Sequence, residues 1–286
     1  MNYFKTFVLM LLLTVLLVVA GGLLGGEQGM VIALIFAAIM NIGTYWFSDK
    51  MVLSMYHATP VTESEQPELY SIVRNLSQKG NLPMPKVYIV EEDTPNAFAT
   101  GRNPKHAAVC VTSGIMRILN KDELSGVLGH ELTHVKNRDI LIGSIAATVA
   151  GAISMLAMMA EWGAMFTGFG GRGEDKDSNI IALIAMAIIA PLVASLIQLA
   201  ISRQREYAAD KGGANLSGNP LSLASALNKL EAGNESEPMP DSKMANVTAH
   251  MFIVNPLRGK GFKKLFSTHP ATEDRISRLK EIAKGL

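Results

Sequence analysis

The chain has 286 residues, of which 49% are hydrophobic, 18% charged and 6% aromatic, with 16 methionines and a formal net charge of +1. Soluble domains carry about a quarter charged residues, so this depletion points to a membrane part beside one compact domain. The near-neutral balance excludes an electrostatic nucleic-acid binder, and the single cysteine, Cys110, excludes an internal disulfide. Within HAAVCVTSG, Cys110 reads as a small buried strand residue rather than a catalytic thiol.

Four apolar runs stand out: residues 7–24, 30–47, 140–160 and 180–201. Each can cross a hydrocarbon core of roughly 30 Å at about 1.5 Å per residue. The first two are separated only by GGEQG and read as a helical hairpin; no small-residue cleavage site followed by soluble sequence marks a signal peptide. Residues 65–79 (EQPELYSIVRNLSQK) place Leu69, Ile72, Val73 and Leu76 at helical spacing, and Gly80 and Pro83 end that helix. KVYIVEED reads as a strand. NAFATG and HAAVCVTSG read as two more, joined through turn formers at 101–104. Asn120, with Glu123 three residues on, is a capping box opening a helix whose apolar face is Leu124, Val127, Leu128 and Val135.

The small residues of the third run (GSIAATVAGAIS) suit close helix packing in lipid. Buried core helices, or helices lying in the bilayer surface, are the alternative for runs three and four. The glycines of FTGFGGRGED, between those runs, have no strand before them and no GK[ST] after them, so they form a loop and not a phosphate cradle. After the fourth run, SRQREYAADKGGANLSG reads as a polar helix ending near Gly212, and PLSLASALNKLEAG as an amphipathic one. Residues 234–241 (NESEPMPD) are the least ordered by composition. RGKGFKKLF (258–266) suits either anionic headgroups or a solvated loop. STHPATEDRISRLKEIAKGL ends in an amphipathic helix.

Basic residues set the orientation. Lys5, Lys50, Lys136, Arg138, Arg203 and Arg205 flank the runs on one side, and the loop at 25–29 has none. Both termini and the polar regions therefore face the cytoplasm. The division expected is a transmembrane hairpin at 1–48, a cytoplasmic region with the sheet and catalytic helix at 49–139, a second transmembrane pair at 140–201 with an outward loop, and a second cytoplasmic region at 202–286.

VLGHELTH carries H-E-x-x-H within the capped helix. His130 and His134 are one turn apart on one face and can grip a borderline cation such as zinc at little entropic cost. Glu131 sits where its carboxylate can reach an activated water. A hydrolytic site needs a third ligand on the same side of the membrane. Two intervening spans return the chain to that side at SRQREYAAD, where Glu206 is the natural ligand. Asp210, one turn on, can accept a hydrogen bond from the other nitrogen of a metal-bound histidine. An ordinary exposed charged helix is the alternative for this segment. His57, His106 and His250 fit no ligand spacing.

HELTH, then REYAAD after a hydrophobic pair, then THPATEDR near the C-terminus resembles the HtpX-type membrane zinc metalloproteases, which share a core with the CAAX prenyl endopeptidases. The resemblance covers nearly the whole chain. It implies one zinc ion per chain on His130, His134 and Glu206, Glu131 as general base, and work in membrane-protein quality control and stress response at a bacterial inner membrane. It also implies an α+β, mainly helical zincin-like domain with a small sheet on four transmembrane helices. In related proteases the HP histidine and an arginine six residues later lie near the site; here these are His269 and Arg275. Either could stabilise an oxyanion, or His269 could regulate access to the metal or simply cap a helix before Pro270. Asn96, Ala97 and Phe98 resemble the edge strand on which zinc proteases bind extended substrate, or are a strand with a core phenylalanine.

The expected activity is peptide hydrolysis. His134 lies six residues before Ile140, about 9 Å along a continuous helix, so substrates would be cut near the bilayer surface. These would be misfolded membrane proteins or unfolded chains. A prenyl-peptide endopeptidase is one alternative and a scaffold with a vestigial site another. A transporter is disfavoured by the near absence of ionisable residues in the runs.

Overall fold

The computed structural model describes residues 2–146, 203–236, 251–254 and 270–285. The third run beyond residue 146, the fourth run and the loop between them lie outside the described residues, as do His250, residues 258–266 and His269.

Helix α1 (Asn2–Met55) is helical along its length but doubles back on itself at Gly26, whose φ of +61° suits a residue without a Cβ. Asn41 Nδ2 donates to Thr14 Oγ1 at 2.8 Å and to Met10 O at 3.4 Å. In a straight helix a separation of 27 residues would span about 40 Å. The second arm does not stop at Phe47. It runs on to Met55 because Val52 and Leu53 are buried against the sheet with Phe98 and Cys110.

After β1 (Thr59–Pro60), a two-residue strand that the sequence did not announce, α2 (Pro67–Gly80) buries Leu69, Ile72, Val73 and Leu76 and ends at Asn81 in the left-handed region. Strands β2 (Lys86–Val90), β3 (Ala97–Gly101) and β4 (Ala107–Thr112) complete a sheet of order β1-β2-β4-β3. β2 and β4 run parallel; β3 pairs antiparallel with β4, Phe98 opposite Cys110. The sheet is covered on both faces. Val109 and Val111 of β4 face the core shared with α2 and the catalytic helix, while Ala108 and Cys110 face the end of α1. Among the described residues no strand pairs with the outer side of β3, yet the strand is buried along its length.

β4 stops earlier than expected because the Thr112 side chain accepts from Ile115 N and caps α3 (Ser113–Ile118). The capping box of Asn120 and Glu123 opens α4 (Lys121–Lys136) as expected. α5 (Arg203–Ser217) and α6 (Pro220–Ser236) pack on α4, and α7 (Thr272–Lys284) packs on α6 and α5. α5 does not end near Gly212. A Cβ on Gly213 would stand 2.6 Å from His130 N, so this glycine is where two helices touch backbone to backbone. Asn234, placed by composition in a poorly ordered stretch, is a buried part of α6 whose side chain donates to Val254 O.

α4 is not continuous with the apolar run after it. It ends at Lys136, Arg138 takes φ 59°, and helix resumes over residues 140–146. There Leu141, Ile142 and Ile145 pack against Leu13 of the hairpin, with Met10 and Leu17 alongside.

Candidate metal centre

One turn of α4 brings His130 Nε2 within 3.2 Å of His134 Nε2. α5 crosses at Gly129 and Gly213, close enough for Glu206 to reach both. Its carboxylate oxygens lie 3.6 Å from His130 Nε2 and 3.5 Å from His134 Nε2. The three candidate ligand atoms all fall within 4.8 Å of one another.

Each histidine is oriented from behind by an aspartate. His130 Nδ1 is 2.9 Å from Asp210 Oδ1, and His134 Nδ1 is 3.2 Å from Asp139 Oδ2. A carboxylate there holds the proton on Nδ1 and turns the Nε2 lone pair inward. Two imidazole lone pairs and a carboxylate then converge on one point, an arrangement that repels itself unless a cation or a proton lies between. In the metal-free state burial opposes protonation of His130, but the neighbouring carboxylates of Asp210 and Glu206 outweigh it and push the pKa up to about 9. Donor spacings of 3.2–3.6 Å match the roughly 3.4 Å between ligands of a tetrahedral site with metal–nitrogen bonds of about 2.1 Å. The residues fit zinc.

Asp139 had gone unread in the sequence. It reaches His134 because the chain breaks at 137–139: Asp139 N donates to His134 O at 2.9 Å, folding the carboxylate back onto the ring. Arg205 Nη1 lies 3.8 Å from Asp139 Oδ1, linking the end of α4 to the start of α5. The acid one turn beyond H-E-x-x-H, in HVKNRD, was the available signal.

Glu131 is buried in the wall of the cleft, and its Oε2 accepts from Ala99 N at 3.0 Å. Burial raises its pKa, and the two histidines pull only part of the way back. The cleft, open to the outside, is lined by the two histidines, Glu131 and Glu206, by Phe98 and Ala99 of β3, and by Met251, Phe252 and Ile253. That last segment had no sequence signal, being too short to show a period.

Two expected roles are revised. Arg275 does not face the cleft. It is 1% exposed, its Nε and Nη2 donate to Asp210 at 2.9 and 2.7 Å, and its Nη1 donates to Ile253 O at 2.6 Å. With its forks engaged it holds Asp210 and the cleft wall, away from any developing oxyanion. Asn96 lies before β3 and is buried. Its Oδ1 accepts from Ile253 N, so its side chain fastens the same wall, and its N–H donates to Thr112 Oγ1 on the β4 side, away from the edge at which main-chain pairing with a substrate was expected. Phe98 is packed under Tyr56, ring centroids 4.9 Å apart, and reaches the cleft only in part.

Residues 63–283 match Peptidase family M48. The chain is similar to a protein named "Protease HtpX homolog" from Syntrophotalea carbinolica, 59% identical over 282 residues and covering 99% of each chain. A second of that name, from Syntrophobacter fumaroxidans, is 55% identical over 281 residues, 98% of this chain and 99% of that one. Among solved structures it is similar to S. mikatae Ste24p, with a TM-score of 0.53 at 17% identity over 97% of this chain and 65% of that one, a likeness of fold. With the family matched across both helices that meet at His130, His134 and Glu206, this chain belongs to peptidase family M48 and is a metalloprotease.

Proposed function

We propose that the chain is an integral-membrane zinc endopeptidase that cuts misfolded membrane proteins and unfolded chains on the cytoplasmic side, close to the bilayer. The observation that carries this reading is the convergence of His130, His134 and Glu206 beside the buried carboxylate of Glu131, in a cleft a few residues from an exposed apolar hairpin. One described helix, Gly26–Met55, is long and apolar enough to cross a membrane, and only 11% of its most apolar window is buried, unlike the core helix of a soluble protein. Runs three and four complete four spans in this reading. The basic flanks support a cleft on the cytoplasmic face of an inner membrane.

His130, His134 and Glu206 would hold the zinc, which when bound supplies Lewis-acid polarisation of the scissile carbonyl and a lowered pKa for water. The protein's own groups do the rest. Glu131 takes the proton from the attacking water and returns it to the leaving amine, and its raised pKa suits a group that must both accept and release. Asp210 and Asp139 keep each histidine in the tautomer that donates at Nδ1. In β3 the pairing alternates, so Phe98 bonds to β4 while Ala97 and Ala99 turn their peptide groups to the free edge. Ala99 N–H is taken by Glu131, and an extended substrate would lie in the cleft beside Phe98 and Ala99.

The test is cleavage of an unfolded soluble protein by detergent-purified enzyme that has been stripped of metal and given zinc again. Activity should return in the wild type and stay at least 10³-fold lower in Glu131→Gln, with zinc still bound. A variant as active as the wild type, or a wild type that binds no zinc, would sink the proposal.

A further inference from the structure

We infer that β3 sets the distance at which this enzyme cuts: the scissile bond of a membrane-anchored substrate lies about three residues outside the headgroup boundary. The inference rests on the membrane-protease reading above and names its substrate class more closely.

The exposed apolar side chains of α1 form a band. On one arm it includes Phe4, Phe7, Leu11, Val15 and Val19; on the other it runs from Met30 to Phe47 and is broken by Ser48, Asp49 and Lys50, with Met51 exposed beyond them. Its lower edge carries Tyr45 and Trp46, rings edge to face at 5.7 Å, with Lys50 over Phe47 at 5.4 Å. Aromatic rings with basic partners at the end of an apolar helix mark the membrane interface. The β3–β4 turn is held at that level from two sides. Arg102 lies over the Trp46 ring at 4.6 Å and donates to Trp46 O at 3.4 Å. Ser144, in the first turns of the third apolar run, donates to Ile140 O; its oxygen accepts from Gly101 N at 3.2 Å and from the Thr100 hydroxyl at 2.7 Å.

Ala99, whose N–H is on Glu131, is three residues from Arg102. At about 3.3 Å per strand residue, the catalytic carboxylate is roughly 10 Å from the turn that rests at headgroup level. The edge is also closed on the membrane side. The outward N–H of Gly101 is occupied by Ser144, so a substrate chain lying in the cleft beside Ala99 cannot pair along β3 into the bilayer. The stretch between the scissile bond and the substrate's own span must bridge that gap as free extended chain, which takes about three residues at 3.3–3.6 Å each.

Two measurements on the full-length enzyme in phospholipid vesicles test this. In the first, Lys105→Cys, an exposed position in the turn, is labelled with an environment-sensitive fluorophore; the only native cysteine, Cys110, is fully buried. Spin labels at the lipid headgroup should quench the probe more than a water-borne quencher does. Quenching from water alone overturns the placement whatever the activity. In the second, one transmembrane helix is followed by uniform tails with insertions of increasing length before a fixed cleavable sequence, and cut sites are mapped by mass. Cuts that stay about three to six residues from the span, whatever is inserted, support the ruler. Cuts that move with the sequence overturn it, as does cleavage of a soluble unfolded protein with none of the tethered series. Loss of zinc-dependent cleavage on both substrates is failure of the protease reading itself, and the inference falls with it.

Discussion

Both candidate ligand histidines are backed by an aspartate with an arginine beyond it, but the two arrangements are not energetically alike. Asp210 and Arg275 are buried, at 2% and 1% exposure. Burial works against Asp210's charge, yet the Arg275 guanidinium and the His130 hydrogen bond hold its carboxyl well below the usual carboxylate range. Removing one partner of such a pair strands a buried charge and costs about 3–5 kcal/mol. Arg275→Met should therefore lower unfolding stability by about that amount, and Lys should not rescue it, because an ammonium cannot satisfy two aspartate oxygens and a carbonyl together. A depressed carboxylate contributes stability that is present above its unfolded pKa, about 3.9, and is lost as pH falls through the folded value. The deficit of the Met variant should thus be flat through neutral pH and shrink only in acid, read by denaturant titration at several pH values. Asp139→Ala should behave differently. His134 is more exposed and Arg205 stands off at 3.8 Å, so the expected loss is about 10–100-fold in zinc affinity by chelator competition, with stability of the metal-free protein little changed. Equal destabilisation by the two substitutions would contradict this account of which residue supports the fold and which the ligand.

The centre exists because α4 and α5 cross at glycines. A Cβ on Gly129 would approach Gly213 O to 2.9 Å, and one on Gly213 would approach His130 N to 2.6 Å. Gly213→Ala must push α5 off the backbone that carries the first histidine, at about 1–3 kcal/mol for overpacking, and must carry Glu206 away with it. Weaker zinc binding together with lower stability is expected from isothermal titration and melting. Unchanged zinc affinity would mean that the crossing does not set the ligand distance. The same glycines show where local sequence misleads. A Gly-Gly pair reads as a helix stop, and only tertiary contact with α4 reveals it as a crossing point. The capping box at Asn120 and the hairpin at GGEQG were legible because both are local: a side chain bonding three residues away, and a glycine between two apolar runs. The break after Lys136 was not. KNRD contains neither Gly nor Pro, and the left-handed Arg138 is sustained by Asp139 folding back onto His134, a contact outside any propensity. Arg275 was legible as a residue of the site but not as a buried strut, since nothing in THPATEDR tells which way its side chain turns.

Across the whole molecule the candidate ligands come from two helices on either side of a long apolar stretch, so a metal held there would cross-link halves that the sequence keeps apart. His130 and His134 belong to the body that includes the sheet; Glu206 opens the body built from α5, α6 and α7. Without a cation, the Nε2 lone pairs and the Glu206 carboxylate face each other across 3.2–3.6 Å, and protonation of His130 is the remaining way to relieve them. A ligand that binds only the folded state stabilises it by RT ln(1 + [L]/Kd), about 4 kcal/mol when free zinc is a thousand times Kd. Chelation should therefore loosen the contact between α4 and α5 first, while the hairpin of α1, which shares no ligand, keeps its own packing. Hydrogen exchange in detergent should show faster exchange in α5 and the last turn of α4 on zinc removal and little change around Thr14 and Asn41. Glu206→Gln keeps the side chain's shape but removes the charged ligand, and should make that exchange pattern insensitive to zinc. If the hairpin loosens as much as the helices that hold the metal, the protease body and the membrane arm unfold as one unit, and the cleft owes its shape to the bilayer as well as to the metal.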